Sequence, residues 1–138
     1  MSRHLSEIVN GLVTAWNSHD IERVVSYYAP EYVGHDVGES KPQHGPDDVA
    51  QSMTRYLRAF PDLKFMGEDT VMDGRRVALA WRVAGTHQGP LANIPASGRT
   101  VDICGVSWLV IEHGQVVRGR YIYDSAGLLR AIGLLPEL

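Results

Sequence analysis

The spacing of apolar residues divides the chain into a helical first part and a strand-rich second part. Apolar residues recur every three or four positions over residues 3–17, which predicts a first amphipathic helix. A shorter helix follows Asp20 and is expected to end at Pro30, and a short strand is predicted over residues 32–36. A third helix is predicted from Pro46 to just before Pro61.

Strand patterns fill most of the remaining sequence. A strand is predicted over residues 63–71 and is followed by the turn pair Asp73-Gly74. The next strand alternates regularly, and its buried face is predicted to carry Val77, Leu79, Trp81 and Val83. After a loop over residues 90–98 comes a terminal hairpin, then a short helix with Asp124 as its N-cap. Helices first and then a long antiparallel sheet predict an α+β fold in one domain, residues 1–138.

The turn of the terminal hairpin decides which of its residues share a face. A three-residue loop with Gly114 in the left-handed region would place Glu112 opposite Val116 and Ser107 opposite Tyr121. One face would then be apolar with hydroxyl groups, as expected of a pocket wall, and holds Ile103, Gly105, Ser107, Leu109, Val117, Gly119, Tyr121 and Tyr123. The other face would hold Val106, Trp108, Val110, Arg118, Arg120 and Ile122.

Composition argues against several classes of protein. The net charge is −3 without a concentrated basic surface, which argues against nucleic-acid binding. No apolar run reaches the roughly 20 residues that span a bilayer, and the N-terminus lacks the apolar core of a signal peptide, so a cytoplasmic protein is expected. The six histidines lack metal-ligand spacing, Cys104 is the single cysteine, and no glycine-rich phosphate loop precedes a helix. We therefore expect no metal and no cofactor.

Several segments resemble one family. They are residues 15–20 (AWNSHD), 59–63 (AFPDL), 85–90 (GTHQGP) and the terminal hairpin with its helix. Together they resemble the SnoaL-like polyketide cyclases of the nuclear-transport-factor-2-like superfamily, which also contains ketosteroid isomerase and limonene epoxide hydrolase. The resemblance covers roughly residues 8–136. It implies an α+β barrel in which a curved antiparallel sheet wraps the N-terminal helices and leaves a cone-shaped pocket.

Two positions depart from the pattern of these cyclases. In the family, a histidine and an aspartate on the last two strands handle the proton transfers of an aldol ring closure, and here Ser107 and Tyr121 stand there. A serine is not a base unaided, and tyrosine has a pKa of about 10. Both could instead donate hydrogen bonds to a developing enolate oxygen.

The base must then be sought elsewhere. His35 is one candidate, because histidine titrates near physiological pH and its strand could aim it into the pocket. Asp124 is another, although an aspartate at that junction is expected to cap the last helix. Eight residues are predicted to contact the substrate. All are aromatic or apolar except His87, which is predicted at the rim of the pocket: Trp16, Tyr28, Met53, Tyr56, Trp81, His87, Leu109 and Tyr123.

Three functions stay open on this reasoning. The first is a cofactor-free cyclase or isomerase acting on a hydrophobic, polyketide-like substrate. The second is a module that binds a hydrophobic ligand without chemistry. The third is another reaction of the superfamily, such as epoxide hydrolysis or hydroxylation. In each case we expect a homodimer, because the outer face with Trp108 would otherwise leave an apolar patch exposed.

Overall fold

Helices pack against the inner face of a curled six-stranded sheet in the computed structural model, which describes residues 2–138. The helices are α1 (Ser2–Ser18), α2 (Ile21–Val25), α3 (Gly45–Ala59) and α4 (Ser125–Ala131). The strands are β1 (Tyr28–Asp36), β2 (Gln43–His44), β3 (Lys64–Asp73), β4 (Arg76–Thr86), β5 (Thr100–Glu112) and β6 (Gln115–Tyr123). The predicted α+β class is confirmed. Within the described residues, no helix is long and apolar enough to cross a membrane.

The strand order is β2-β1-β6-β5-β4-β3, and the sheet does not close. Strands β3 to β6 form an antiparallel meander, whereas β1 lies parallel to β6. This pairing brings the first strand beside the last, so residues far apart in sequence meet at the centre of the sheet. In one row, Asp36 of β1 pairs with Tyr121 of β6, and Tyr121 pairs with Ser107 of β5.

The second helix is shorter than predicted. It ends at Val25, and strand β1 begins at Tyr28 rather than at residue 32. Pro30 therefore lies within β1, where it falls in an irregularity of the pairing between Tyr28 and Val33. Proline cannot donate a ladder hydrogen bond, so it is tolerated in a strand at such an interruption.

The hairpin between β5 and β6 has a different turn from the one predicted. His113 and Gly114 form a two-residue turn, both with positive φ (52° and 76°), and Glu112 pairs with Gln115 rather than with Val116. A register shift between Val110 and Ile111 absorbs the one-residue difference, so the predicted pairing of Ser107 with Tyr121 is confirmed.

This shift also changes one residue of the predicted pocket wall. Val116 takes the fully buried position on the inner face, and Val117, predicted there, is only half-buried.

The core lies between the inner face of the sheet and the apolar sides of α1 and α3. All four apolar residues predicted on the inner face of β4 are buried there: Val77, Leu79, Trp81 and Val83. On the opposite face of the sheet, Val106, Trp108 and Ile122 are exposed, as the alternation of a strand requires. The helices cover one face and leave the other open.

Candidate functional site

A cavity of about 160 Å³ lies between the helices and the inner face of the sheet. Its wall is mostly apolar and is contributed by α1, α3, α4 and all six strands. Polar atoms reach it from a few side chains, namely Asp36, Gln43, Ser52, Ser107 and the tyrosines Tyr28, Tyr56, Tyr121 and Tyr123. An apolar cavity with a small number of placed polar groups is the usual form of a small-molecule site.

Asp36 is the one carboxylate among the described residues that line the cavity. Alternate residues of a strand point to opposite faces, and in β1 the inward positions fall on Tyr32, Gly34 and Asp36. Asp36 is only 9% exposed but stays hydrogen-bonded. Its Oδ2 accepts from the Tyr56 hydroxyl at 2.8 Å, and its Oδ1 accepts from the backbone N–H of Gly38 at 2.7 Å. The Tyr123 hydroxyl also interacts with this carboxylate.

The hydroxyls next to Asp36 belong to neutral tyrosines. Burial raises the pKa of Tyr56 far above the usual value and raises the pKa of Tyr123 to about 12; the charge of Asp36 contributes to both shifts. The two hydroxyl oxygens lie 3.3 Å apart. Both groups therefore stay protonated at neutral pH and serve as hydrogen-bond donors.

Gly38 makes the close approach of Tyr123 to Asp36 possible. A Cβ at residue 38 would lie 1.8 Å from the Tyr123 hydroxyl oxygen and 3.2 Å from Oδ1 of Asp36. Any larger side chain would therefore displace the tyrosine from the carboxylate.

A second polar cluster joins the cavity to the surface. The hydroxyl oxygens of Tyr121 and Tyr32 lie 2.6 Å apart, and Tyr32 donates to Oε1 of Gln43 at 2.9 Å. Gln43 donates in turn to Ser52 at 2.9 Å and to Glu39 at 3.2 Å. Burial, reinforced by the neighbouring tyrosines Tyr28 and Tyr32, raises the pKa of Tyr121 well above its usual value.

A third polar group stands on β5. The indole N–H of Trp81 donates to the Ser107 hydroxyl oxygen at 2.9 Å. This leaves the Ser107 proton free to be donated into the cavity, since no acceptor for it occurs among the described residues. Gly105 leaves room for the Trp81 ring, because a Cβ there would lie 2.4 Å from it.

Eight of the twelve residues predicted for the site line the cavity. They are Trp16, Tyr28, Tyr56, Trp81, Ser107, Leu109, Tyr121 and Tyr123. Met53 lies outside this lining and is fully buried in the core.

The other three predicted residues also lie away from the cavity lining. His35 is exposed on the outer face of β1, because the inward position belongs to its neighbour Asp36. Asp124 caps α4, accepting from the backbone N–H of Gly127 at 2.8 Å, which confirms the predicted N-cap. His87 is fully buried, and its Nδ1 accepts from the backbone N–H of Ser97 at 3.1 Å.

Three polar residues that line the cavity, Asp36, Gln43 and Ser52, were not among the predicted site residues. The sequence did contain a signal for Asp36, because alternate residues of a strand face the same side of the sheet. Tyr32 and Asp36 therefore share the inner face of β1, and His35 lies on the outer face. Gln43 had no comparable signal, because it lies on a two-residue strand after a polar loop. Among the described residues, no group of three or more histidine, cysteine, aspartate or glutamate side chains is arranged to hold a metal ion.

Comparisons with known proteins agree with this architecture. The profile of the SnoaL-like polyketide cyclases matches residues 6–132. Comparison with curated protein sequences gives no significant match.

Three solved structures illustrate the likeness. AclR from Streptomyces galilaeus, provisionally described as a hydroxylase, is 28% identical, with a TM-score of 0.86 over 100% of this chain and 89% of its own. IdmH from Streptomyces antibioticus, provisionally described as a polyketide cyclase, is 25% identical, with a TM-score of 0.81 over 93% and 97%. A SnoaL-like protein from Jannaschia sp. CCS1 is 23% identical, with a TM-score of 0.87 over 97% and 94%, and supports the fold alone.

Proposed function

Because the chain belongs to the SnoaL-like polyketide cyclase family, we propose that it catalyses an aldol-type ring closure or isomerisation of a hydrophobic, polyketide-like substrate, with Asp36 as the base. The observation that carries this proposal is the Asp36 carboxylate, which lies buried against a mostly apolar cavity and is held by Tyr56 and Gly38. A positioned carboxylate supplies the proton acceptor that Ser107 and Tyr121 lack.

The proposed reaction begins with transfer of a proton from a carbon beside a ketone to a carboxylate oxygen of Asp36, which forms an enolate. The enolate carbon then attacks a second carbonyl carbon of the same molecule, forming a carbon–carbon bond and an alkoxide. The alkoxide recovers a proton, and the product has the mass of the substrate. Water-poor surroundings favour this sequence, since the electrostatic effect of each donor is stronger there.

Ser107 is placed to donate to the carbonyl that develops negative charge. It lies in the same row of the sheet as Asp36, with Tyr121 between them. Two strand spacings separate the Cα atoms of Asp36 and Ser107, or about 10 Å. That separation suits a ligand whose proton-donating carbon and electrophilic carbonyl are different groups. The Trp81 N–H bond to the Ser107 oxygen orients the hydroxyl for this role.

The base can be tested without knowing the natural substrate. 2-Tetralone, a bicyclic ketone with acidic hydrogens beside its carbonyl, serves as the probe, and exchange of those hydrogens in D₂O is followed by NMR. We expect the protein to accelerate exchange and Asp36→Asn to lower the rate about 100-fold or more. His35→Ala and Asp124→Asn are the matched controls and should exchange at the rate of the wild type. Wild-type exchange by Asp36→Asn would overturn the proposal.

Hydroxylation is the second candidate, favoured by the 28% identity with AclR. In that case Asp36 would also remove a proton from the ligand, and the two reactions diverge after this shared step. Ring closure leaves the ligand mass unchanged, whereas hydroxylation adds one oxygen atom from dioxygen and needs a two-electron reductant, with the second oxygen atom leaving as water. Mass spectrometry of the products therefore separates the two. Ligand binding with neither exchange nor product would favour the non-catalytic alternative.

A further inference from the structure

A chain of hydrogen bonds runs from Glu39 near the surface to Tyr121 at the cavity, and the donor of each bond can be assigned. Arg55 forms an ion pair with the Glu39 carboxylate, and the Ser52 hydroxyl donates to it at 3.0 Å. A carboxylate accepts only, so Gln43 must turn its amide nitrogen, not its oxygen, toward Glu39. The amide nitrogen also donates to Ser52. Oε1 of Gln43 therefore faces the other way, toward Tyr32.

The direction of the next bond follows from the single proton on each hydroxyl. Tyr32 donates its proton to Oε1 of Gln43, which is an acceptor only. The 2.6 Å contact between Tyr32 and Tyr121 must then use the proton of Tyr121. With its proton committed to Tyr32, the Tyr121 oxygen can only accept hydrogen bonds. Tyr28 also hydrogen-bonds with Tyr121, so one of the two lone pairs is left for a ligand.

We propose that Tyr121 accepts a hydrogen bond from a ligand hydroxyl, so that the cavity selects phenolic or enolic ligands over their O-alkylated counterparts. This inference rests on the proposed function only in taking the cavity as the ligand site. It gives Tyr121 the opposite polarity to an oxyanion donor. Ser107, one strand away, offers a proton instead. The preferred ligand therefore carries a carbonyl for Ser107 and a hydroxyl for Tyr121.

Two glycines keep the tyrosine pair in contact. A Cβ at Gly34 would lie 1.9 Å from the Tyr32 hydroxyl oxygen and 2.9 Å from Oε1 of Gln43. A Cβ at Gly119 would lie 2.2 Å from the Tyr121 hydroxyl oxygen and 3.0 Å from that of Tyr32. The backbone thus leaves space for this pair of hydroxyls and for nothing larger.

Two probes that differ by one methyl group test the inference: 2-naphthol, a hydroxyl donor, and its methyl ether 2-methoxynaphthalene. Binding is measured by calorimetry and by the fluorescence of the cavity tryptophans Trp16 and Trp81. One hydrogen bond contributes roughly 0.5–1.5 kcal/mol, so the wild type should favour 2-naphthol by about 2- to 10-fold. A preference for the ether, or no binding of either probe, would contradict the subsite.

Variants of the network supply the decisive comparison. In Tyr32→Phe the Tyr121 proton loses its acceptor and becomes available to the ligand, so the preference for 2-naphthol should disappear or reverse. Gln43→Met frees the Tyr32 proton for Tyr121 and should have the same effect by a separate route, which covers the case in which Tyr32→Phe folds poorly. Tyr27→Phe is the matched control, since Tyr27 lies outside the cavity lining. An unchanged preference in both network variants would overturn the inference.

Failure of this inference and failure of the proposed function give different results. Asp36→Asn should abolish exchange of 2-tetralone but keep the preference for 2-naphthol, because Asp36 belongs to the other polar cluster. If Asp36→Asn still exchanges 2-tetralone, Asp36 is not the base, but the inference that Tyr121 accepts a hydrogen bond is unaffected. A lost preference in Tyr121→Phe alone, with no effect of Tyr32→Phe or Gln43→Met, would contradict the directed network and leave the base standing.

Discussion

The Tyr56 hydroxyl donates a 2.8 Å hydrogen bond to Oδ2 of Asp36, which joins helix α3 to the end of strand β1 across the cavity. The bond orients the carboxylate and satisfies one of its buried oxygens. A base held in this way needs no rearrangement before it accepts a proton, and such preorganisation is what distinguishes a catalytic carboxylate from a surface one.

Removal of this donor should weaken both catalysis and stability. In Tyr56→Phe we expect the rate of 2-tetralone exchange to fall about 10-fold, because the carboxylate is no longer held in one orientation. The free energy of unfolding should drop by about 1–2 kcal/mol, since a buried oxygen loses its partner. NMR exchange and urea unfolding measure the two effects. Wild-type values for both would show that the bond is not important to the site.

A methyl group at residue 38 should disturb the Asp36 carboxylate by displacing its other neighbour, Tyr123. In Gly38→Ala the new Cβ would overlap the Tyr123 hydroxyl, so the ring must move away from Asp36. We expect a loss of exchange activity of about 10-fold or more, as misplacement of catalytic groups by about 1 Å is costly. Gly67→Ala is the control, because the nearest atom to its Cβ is Leu79 Cδ1 at 3.6 Å, an ordinary contact. Equal activity of the two variants would contradict the prediction.

The buried tyrosines predict a loss of stability at alkaline pH. The pKa values of Tyr28, Tyr32, Tyr56, Tyr121 and Tyr123 are all raised by burial. Between about pH 10, where unfolded tyrosine ionises, and the higher folded pKa, the unfolded state binds fewer protons, so stability falls as pH rises. Below that window these groups add no pH dependence.

Urea unfolding at several pH values checks this behaviour. Each fully buried tyrosine adds a slope of up to about 1.4 kcal/mol per pH unit within the window. Tyr121→Phe should therefore show a shallower decline than the wild type above pH 10, and the two curves should run parallel below pH 9. A stability that stays flat through pH 11 would contradict the burial of these hydroxyls.

We propose that two copies of the chain pack through the outer face of the sheet to form the expected homodimer. Trp108 and Ile122 are each 52% exposed, and Val106 lies beside them, so an apolar patch faces away from the helices. The flanking Arg120 pairs across the strands with Trp108, which mixes charge into the patch and suits a second copy packed about a two-fold axis. Such an interface would bury about 1,200–2,000 Å² in total.

Light scattering at micromolar concentration should return about twice the chain mass. Trp108→Glu should lower that mass by placing a charge in the interface, whereas Thr54→Ala, exposed on α3, is the control and should leave it unchanged. A wild-type mass of one chain would overturn the dimer.

The amino-acid sequence by itself determined helices α1, α3 and α4, strands β3 to β6 and most of the inner face of these strands, because these depend on local periodicity. The alternation in β4 identified four buried residues, and the N-cap Asp124 identified the start of the last helix. Even an error at the turn did not displace Ser107 from Tyr121, since a bulge restored the register that the apolar face requires.

Tertiary structure alone decided which polar groups meet. The parallel pairing of β1 with β6 joins residues 85 positions apart, and it places Asp36 beside Tyr121. Nothing local to either strand specifies that partner, because the pairing depends on how the helices between them pack. The direction of the hydrogen bonds from Glu39 to Tyr121 was likewise set only in the fold, where each donor has to find a separate acceptor once water is excluded.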